Sequence, residues 1–145
     1  MTSHNFSSRQ AAQNWIHTFK AELTRPCVVL LSGDVGAGKT QFVRWFLEEL
    51  GVPQVASPTF AIHHQYNHVA GPIDHIDLYR ITGDADLEAT GFWDLLDNIQ
   101  ALLFVEWADR LPREIWPKGW KQIDLNLRKV GMDEARSLEV EIRKP

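Results

Sequence analysis

Apolar residues recur along this chain with a few distinct spacings, and each spacing predicts a kind of element. Ala11, Ala12, Trp15, Ile16, Phe19 and Leu23 follow the spacing of one helix face. Ser7, with Gln10 three positions later, predicts a capping box at the start of that helix. Pro26 ends the pattern. Cys27 to Leu31 is an unbroken apolar run, the mark of a strand buried on both faces. A second helix is predicted from Lys39 to Leu50, with Phe42, Val43, Phe46, Leu47 and Leu50 on one stripe. Gly51 stands at its C′ position and Pro53 prevents continuation.

The middle and end of the chain read mainly as strands. Phe60 to Tyr66 and Ile73 to Tyr79 flank a turn around Asn67 to Gly71, which predicts an antiparallel pair. Asp84 to Ala89 reads as a short helix, and Gly91 to Leu96 as a second short helical or turn-rich piece. Ala101 to Trp107 is a continuous apolar run interrupted only by Glu106 near its end. A connection rich in Pro and Trp follows, through Trp116-Pro117 and Gly119-Trp120. Two strictly alternating runs close the chain, Gln122 to Arg128 and Ser137 to Arg143, with Gly131 to Arg136 as the hairpin loop. No internal repeat, low-complexity segment or interdomain linker stands out. The 145 residues are expected to form a single domain.

Composition narrows the class. A chain 44% hydrophobic and 23% charged can bury an ordinary globular core. No apolar run approaches the ~18 residues of a membrane span. Met1 to Phe6 lacks the basic and apolar regions of a secretory leader, so the cytosol is the expected compartment. Cys27, the one cysteine, excludes an internal disulfide framework and is expected to be a buried thiol. A net charge of −4 argues against gripping nucleic acid through a broad basic face. Six tryptophans are many for this length, and some of them are candidates for a partner surface.

Between the first apolar strand and the second helix lies Gly33-Asp34-Val35-Gly36-Ala37-Gly38-Lys39-Thr40, which fits G-x-x-x-x-G-K-S/T at every fixed position. Glycines let the backbone curl so that its N–H groups point inward as an anion nest. The helix that follows adds its own N-terminal N–H groups and dipole. Lys39 suits the β- and γ-phosphates of a nucleotide, and the Thr40 hydroxyl suits Mg²⁺. Three more acids and hydroxyls are candidates. Thr59, in Ser57-Pro58-Thr59-Phe60, reads either as part of an ordinary turn or as a residue that senses Mg²⁺ or the γ-phosphate. His75 and Asp77 share a strand face with Tyr79; that face reads either as a polar outer surface or as a site for Mg²⁺, a water or a hydrogen-bond network. Glu106 ends a buried strand in the Walker-B manner, or is a solvated strand end. His63 and His64 point oppositely from one strand and are read as structural or exposed.

Together Gly33 to Thr40, Ser57-Pro58-Thr59-Phe60, His75-Ile76-Asp77-Leu78-Tyr79-Arg80 and Val105-Glu106-Trp107 resemble, in order and spacing, the TsaE (YjeE) family of bacterial ATPases. The resemblance spans about residues 28 to 110. It implies an α/β P-loop NTPase, a three-layer sandwich with a mixed, mostly parallel sheet and a C-terminal antiparallel hairpin. It implies ATP and Mg²⁺ as ligands and a weak ATPase. That ATPase would reset a complex of the threonylcarbamoyl transferase subunit and its non-catalytic partner between turnovers on tRNA adenosine 37. The tRNA would be met only through that complex, and no membrane is involved. Carried over, the nucleotide would touch Gly33 to Gln41, Thr59 and Trp107. Thr40 and Glu106 would serve Mg²⁺. Lys39, Asp77 and Glu106 would carry the chemistry. Gln41 departs from the small hydroxyl residue common after the P-loop threonine. A metabolite kinase is the alternative on the same fold, although no arginine-bearing lid stands out. A GTPase lacks support, since no N-K-x-D or D-x-x-G sequence occurs.

Overall fold

The computed structural model describes residues 1–52, 63–81, 83–89, 91–131 and 135–145. Seven strands form one sheet in the order β1-β7-β6-β2-β5-β4-β3. They are β1 (Thr2–Phe6), β2 (Cys27–Ser32), β3 (His63–Tyr66), β4 (Ile73–Asp77), β5 (Leu102–Glu106), β6 (Lys121–Lys129) and β7 (Arg136–Arg143). The four central strands, β6-β2-β5-β4, run parallel. Antiparallel pairs flank them on both sides, β3 on β4 and β6-β7-β1. The helices are α1 (Arg9–Phe19), α2 (Lys39–Glu49), α3 (Asp84–Ala89) and α4 (Phe92–Leu95).

Alternation along the strands sorts side chains into two cores. Val29 and Leu31 of β2 join Phe104 of β5, Ile123 and Leu125 of β6 and Val140 of β7 beneath α1 and α2. Val28 and Leu30 face the other way, with Ile76, Leu103 and Val105, beneath Leu87 of α3, Phe92 of α4 and the tryptophans Trp116 and Trp120. The result is helices, sheet, then short helices and connection, the three layers expected of an α/β protein. Strands β6, β7 and β1 contribute to the first core only, among the described residues.

The structure adjusts two expectations and adds one element. The cap of α1 is Ser8, whose hydroxyl accepts from the Ala11 amide, so the helix starts one residue later than the Ser7 reading and Gln10 is not at N3. Gln10 instead donates to Asn14 along the helix. The N-terminal residues form β1, which their mostly polar sequence does not announce; it exists because β7 offers a free edge, and only Phe6 of it is buried. The strand expected to reach Tyr79 ends at Asp77, where the Asp77 carboxylate accepts the Tyr79 amide and turns the chain. The loop Ser57-Pro58-Thr59-Phe60 lies outside the described residues. Cys27 is fully buried, and burial pushes its thiol up to about 12.

Candidate nucleotide site

Parallel strands end at a common edge, and that geometry assembles the site. Leu31 of β2 is level with Glu106 of β5, which is level with Asp77 of β4. The chain leaving β2 becomes the glycine loop, so the loop faces the carboxylates that end its two neighbours. Gly33 is required on steric grounds. It sits at φ 141°, and a Cβ there would lie 2.4 Å from the Leu127 carbonyl oxygen. Gly38 is the N-cap of α2 at φ 103°, a left-handed conformation that a side chain disfavours. Having no side chain, it leaves the first-turn amides of α2 uncovered, an anion-binding helix end.

The resulting cleft has a volume of about 340 Å³. Val35, Gly36, Gly38, Lys39, Thr40 and Gln41 form one wall; Asp77, Tyr79, Glu106 and Trp107 form the other. Gly33 and Asp34 contribute backbone oxygens, which accept from Lys39 Nζ at 2.6 and 2.9 Å. Ala37 is buried beneath the turn, its amide donating to the Asp34 carbonyl. Of the sequence-predicted residues, only Thr59 is left unplaced, because it falls outside the described residues. The reading of Glu106 as a solvated strand end fails, since the residue is 2% exposed. A larger cleft of about 430 Å³ lies on the open face of β6 and β7. Its lining includes neither a glycine loop nor the N-terminus of an α-helix, so the smaller cleft is the one equipped for phosphate.

Each charged group here is held by others. Thr40 Oγ1 donates to Glu106 Oε1 at 2.7 Å. His75 Nε2 stands 2.5 Å from the other oxygen, Oε2. Lys39 Nζ lies 4.1 Å from the centre of the Trp107 ring, a cation–π distance. Burial pushes the Lys39 ammonium below its ordinary range, and the Glu106 and Asp77 charges pull it back up. Burial likewise raises the Asp77 carboxyl, opposed by the Tyr79 amide and reinforced by the negative Glu106. Trp107 has φ 58°, a conformation rare outside glycine that costs of order 1–3 kcal/mol. That twist leaves its ring beside Tyr79, 5.0 Å between centres, and over Lys39.

Oxygen donors suit a hard cation. Among the described residues no group of three His, Cys, Asp or Glu forms a metal site. Mg²⁺ on a P-loop needs no such group, because nucleotide phosphates and waters fill most of its shell. The Thr40 hydroxyl with the Glu106 carboxylate matches that donor set.

Of the readings open for the His75 face, a hydrogen-bond network is present, since His75 meets Glu106. Arg136 was not singled out from sequence and carried no signal there: its Nε donates to the Ala37 carbonyl across 99 residues of chain. Arg136 lines a second cleft of about 180 Å³ with Ser8, Arg9, Gln41 and Trp45, adjoining the first at Gly38. The Arg9 guanidinium covers the Trp45 ring at 5.6 Å.

Comparison with known proteins agrees with this architecture. The family described as threonylcarbamoyl adenosine biosynthesis protein TsaE matches residues 6–138. A Borreliella burgdorferi protein named tRNA threonylcarbamoyladenosine biosynthesis protein TsaE is 31% identical, covering 78% of this chain and 82% of its own. A Haemophilus influenzae protein of the same name is 32% identical over 86% of this chain and 73% of its own. The crystal structure of YdiB from Bacillus subtilis superposes with a TM-score of 0.64 at 29% identity, covering 94% of this chain and 82% of that one. With sequence and fold matching over nearly the same span, and the glycine loop and Glu106 inside it, the chain belongs to the TsaE family.

Proposed function

We propose that this chain binds ATP with Mg²⁺ and hydrolyses it weakly alone, as the ATPase of an assembly that makes threonylcarbamoyladenosine at tRNA position 37. The relatives carry that biosynthetic name. The partners in this reading are the transferase subunit and its non-catalytic companion, in the cytosol, with tRNA met through them. Family membership favours this over a metabolite kinase.

The observation that carries the reading is the meeting of Thr40 with Glu106 at the mouth of the glycine loop, from positions 66 residues apart. A bare anion-binding turn has no need of a buried carboxylate there. ATP entering the cleft takes Lys39 from the Gly33 and Asp34 carbonyls, and its ammonium then faces the β- and γ-phosphates. Loop amides and the α2 N-terminus receive the phosphate oxygens. Thr40 and Glu106 would hold Mg²⁺, which would supply positive charge to the phosphates. Both oxygens of Glu106 are already engaged. Asp77 has one oxygen on the Tyr79 amide and is the freer acid, so it orients the attacking water. Water's oxygen bonds to the γ-phosphorus, the bond to the β–γ bridging oxygen breaks, and ADP leaves. The nucleoside extends past Gly38 into the cleft of Arg9, Gln41, Trp45 and Arg136.

The test is a reconstituted modification reaction run over many turnovers. Lys39→Ala is expected to lower ATP hydrolysis by at least ~100-fold, the loss typical of one preorganised charge-stabilising group, and to stop tRNA modification after the first turnovers. Sustained modification with Lys39→Ala, or with this chain omitted, defeats the reading.

A further inference from the structure

Glu106 is buried, and its carboxylate is gripped from both ends. Oε1 accepts the Thr40 hydroxyl at 2.7 Å and Oε2 meets His75 Nε2 at 2.5 Å. The His75 side chain is 12% exposed and that of Glu106 is 3% exposed, so water competes little for either. A carboxylate only accepts hydrogen bonds, so the proton between them belongs to Nε2 of the imidazole. His75 reaches Glu106 because β4 and β5 are parallel neighbours. Asp77 is level with Glu106, and His75 lies one residue pair behind on the same face of β4.

We propose that His75 is a positioning residue, whose Nε2–H fixes the Glu106 carboxylate so that Thr40 keeps its hydroxyl hydrogen on Oε1 and its lone pairs towards the cleft. The inference rests on the ATP and Mg²⁺ reading above and extends it to a residue that touches neither ligand. A glutamate side chain has three rotatable bonds and would otherwise be free to swing. If it swings, the Thr40 hydroxyl loses its acceptor and can turn its hydrogen, the positive end of its dipole, towards the cation. Partners that orient metal-binding groups in this way typically change metal affinity by about 10–100-fold when removed.

The experiment measures binding. Calorimetry follows a non-hydrolysable imido analogue of ATP in EDTA and across a Mg²⁺ titration, for wild type, His75→Leu and His75→Gln. His75→Leu is expected to bind the analogue in EDTA as wild type does, while the Mg²⁺ midpoint rises about 10-fold or more. His75→Gln, which keeps an amide donor at similar reach, is expected to recover most of that shift. A role confined to packing would not separate the two variants in this way. A Mg²⁺ midpoint in His75→Leu equal to wild type overturns the proposal. So does a His75→Gln midpoint as weak as that of His75→Leu, or loss of metal-free binding in both variants, which would make His75 a residue that holds the fold. Absence of any Mg²⁺ effect in wild type instead sinks the ATP and Mg²⁺ reading on which the proposal stands.

Discussion

The two halves of the sheet are built on different terms. In β2, β5 and β4, both faces are covered; the interiors of β2 and β5 are almost entirely apolar, while β4 carries Asp74, His75 and Asp77 beside its isoleucines. In β6 and β7, one face packs under α1 and α2, and the other is a polar surface of Asp124, Asn126, Glu139 and Glu141. Polar groups on the open half can rely on water and on each other. Arg113 donates to both oxygens of Asp124, and Arg143 reaches Asp124 as well as Glu141. A polar group in the covered half must find a partner inside the protein or face the ligand cleft. Asp77, Glu106 and His75 do so at or near the strand ends, and there the chemistry gathers.

Substitutions on the two halves should separate sharply. Phe104, fully buried in β5 with its ring tilted against that of Phe46 at 5.4 Å between centres, stands at the centre of the covered half. Phe104→Ala is expected to cost about 3–5 kcal/mol in urea unfolding, through lost burial and the cavity left behind. Asp77→Asn should divide activity from stability. On the role proposed for Asp77, hydrolysis is expected to fall by about 100-fold or more, since the group that would orient water is lost. The nucleotide-free protein should melt higher at neutral pH. The sign follows from the raised carboxyl of Asp77. A carboxyl raised by folding supports the fold only while protonated, and that support is lost as pH rises through the folded value. Near pH 7 the charge therefore opposes folding, and the amide removes it. Melting curves below the ordinary Asp value of 3.8 should show the advantage gone. An Asp77→Asn protein less stable than wild type at pH 7 contradicts this.

On the open half the effects shrink. Asp124→Ala removes the acceptor of two guanidiniums that are each more than a third exposed, so water replaces much of what is lost. Its expected cost is under about 1 kcal/mol. Glu139→Ala, on the same face, is expected within about 0.5 kcal/mol of wild type. Costs on β7 that rival Phe104→Ala would mean that something covers this face, and would erase the contrast.

Legibility follows the same division. Strands β2 and β5 were plain because their interiors are almost uniformly apolar. The hairpin β6–β7 was plain because water on one side imposes alternation. Strand β1 was not, since Thr2 to Asn5 carry no apolar pattern and are held by backbone pairing to β7, with the His4 ring against Trp15. The choice of Ser8 over Ser7 as the α1 cap was equally hidden, because adjacent serines differ only in which one the chain's entry angle leaves extended.

By itself the sequence determined the glycine loop, the strand before it and the helix after it. These are contiguous, and their conformations follow from local sterics and the periodicity of burial. It also placed Glu106 near a strand end, whereas Asp77 was expected inside a strand that in the structure stops there. The strand order was decided only by the tertiary structure, and with it every contact that makes those residues a site. Thr40 meets Glu106, His75 secures the other oxygen, Trp107 lies over Lys39 and Arg136 returns to Ala37 because particular strands became neighbours. Such pairings are settled by the joint burial of two cores distant in sequence, which no local window contains.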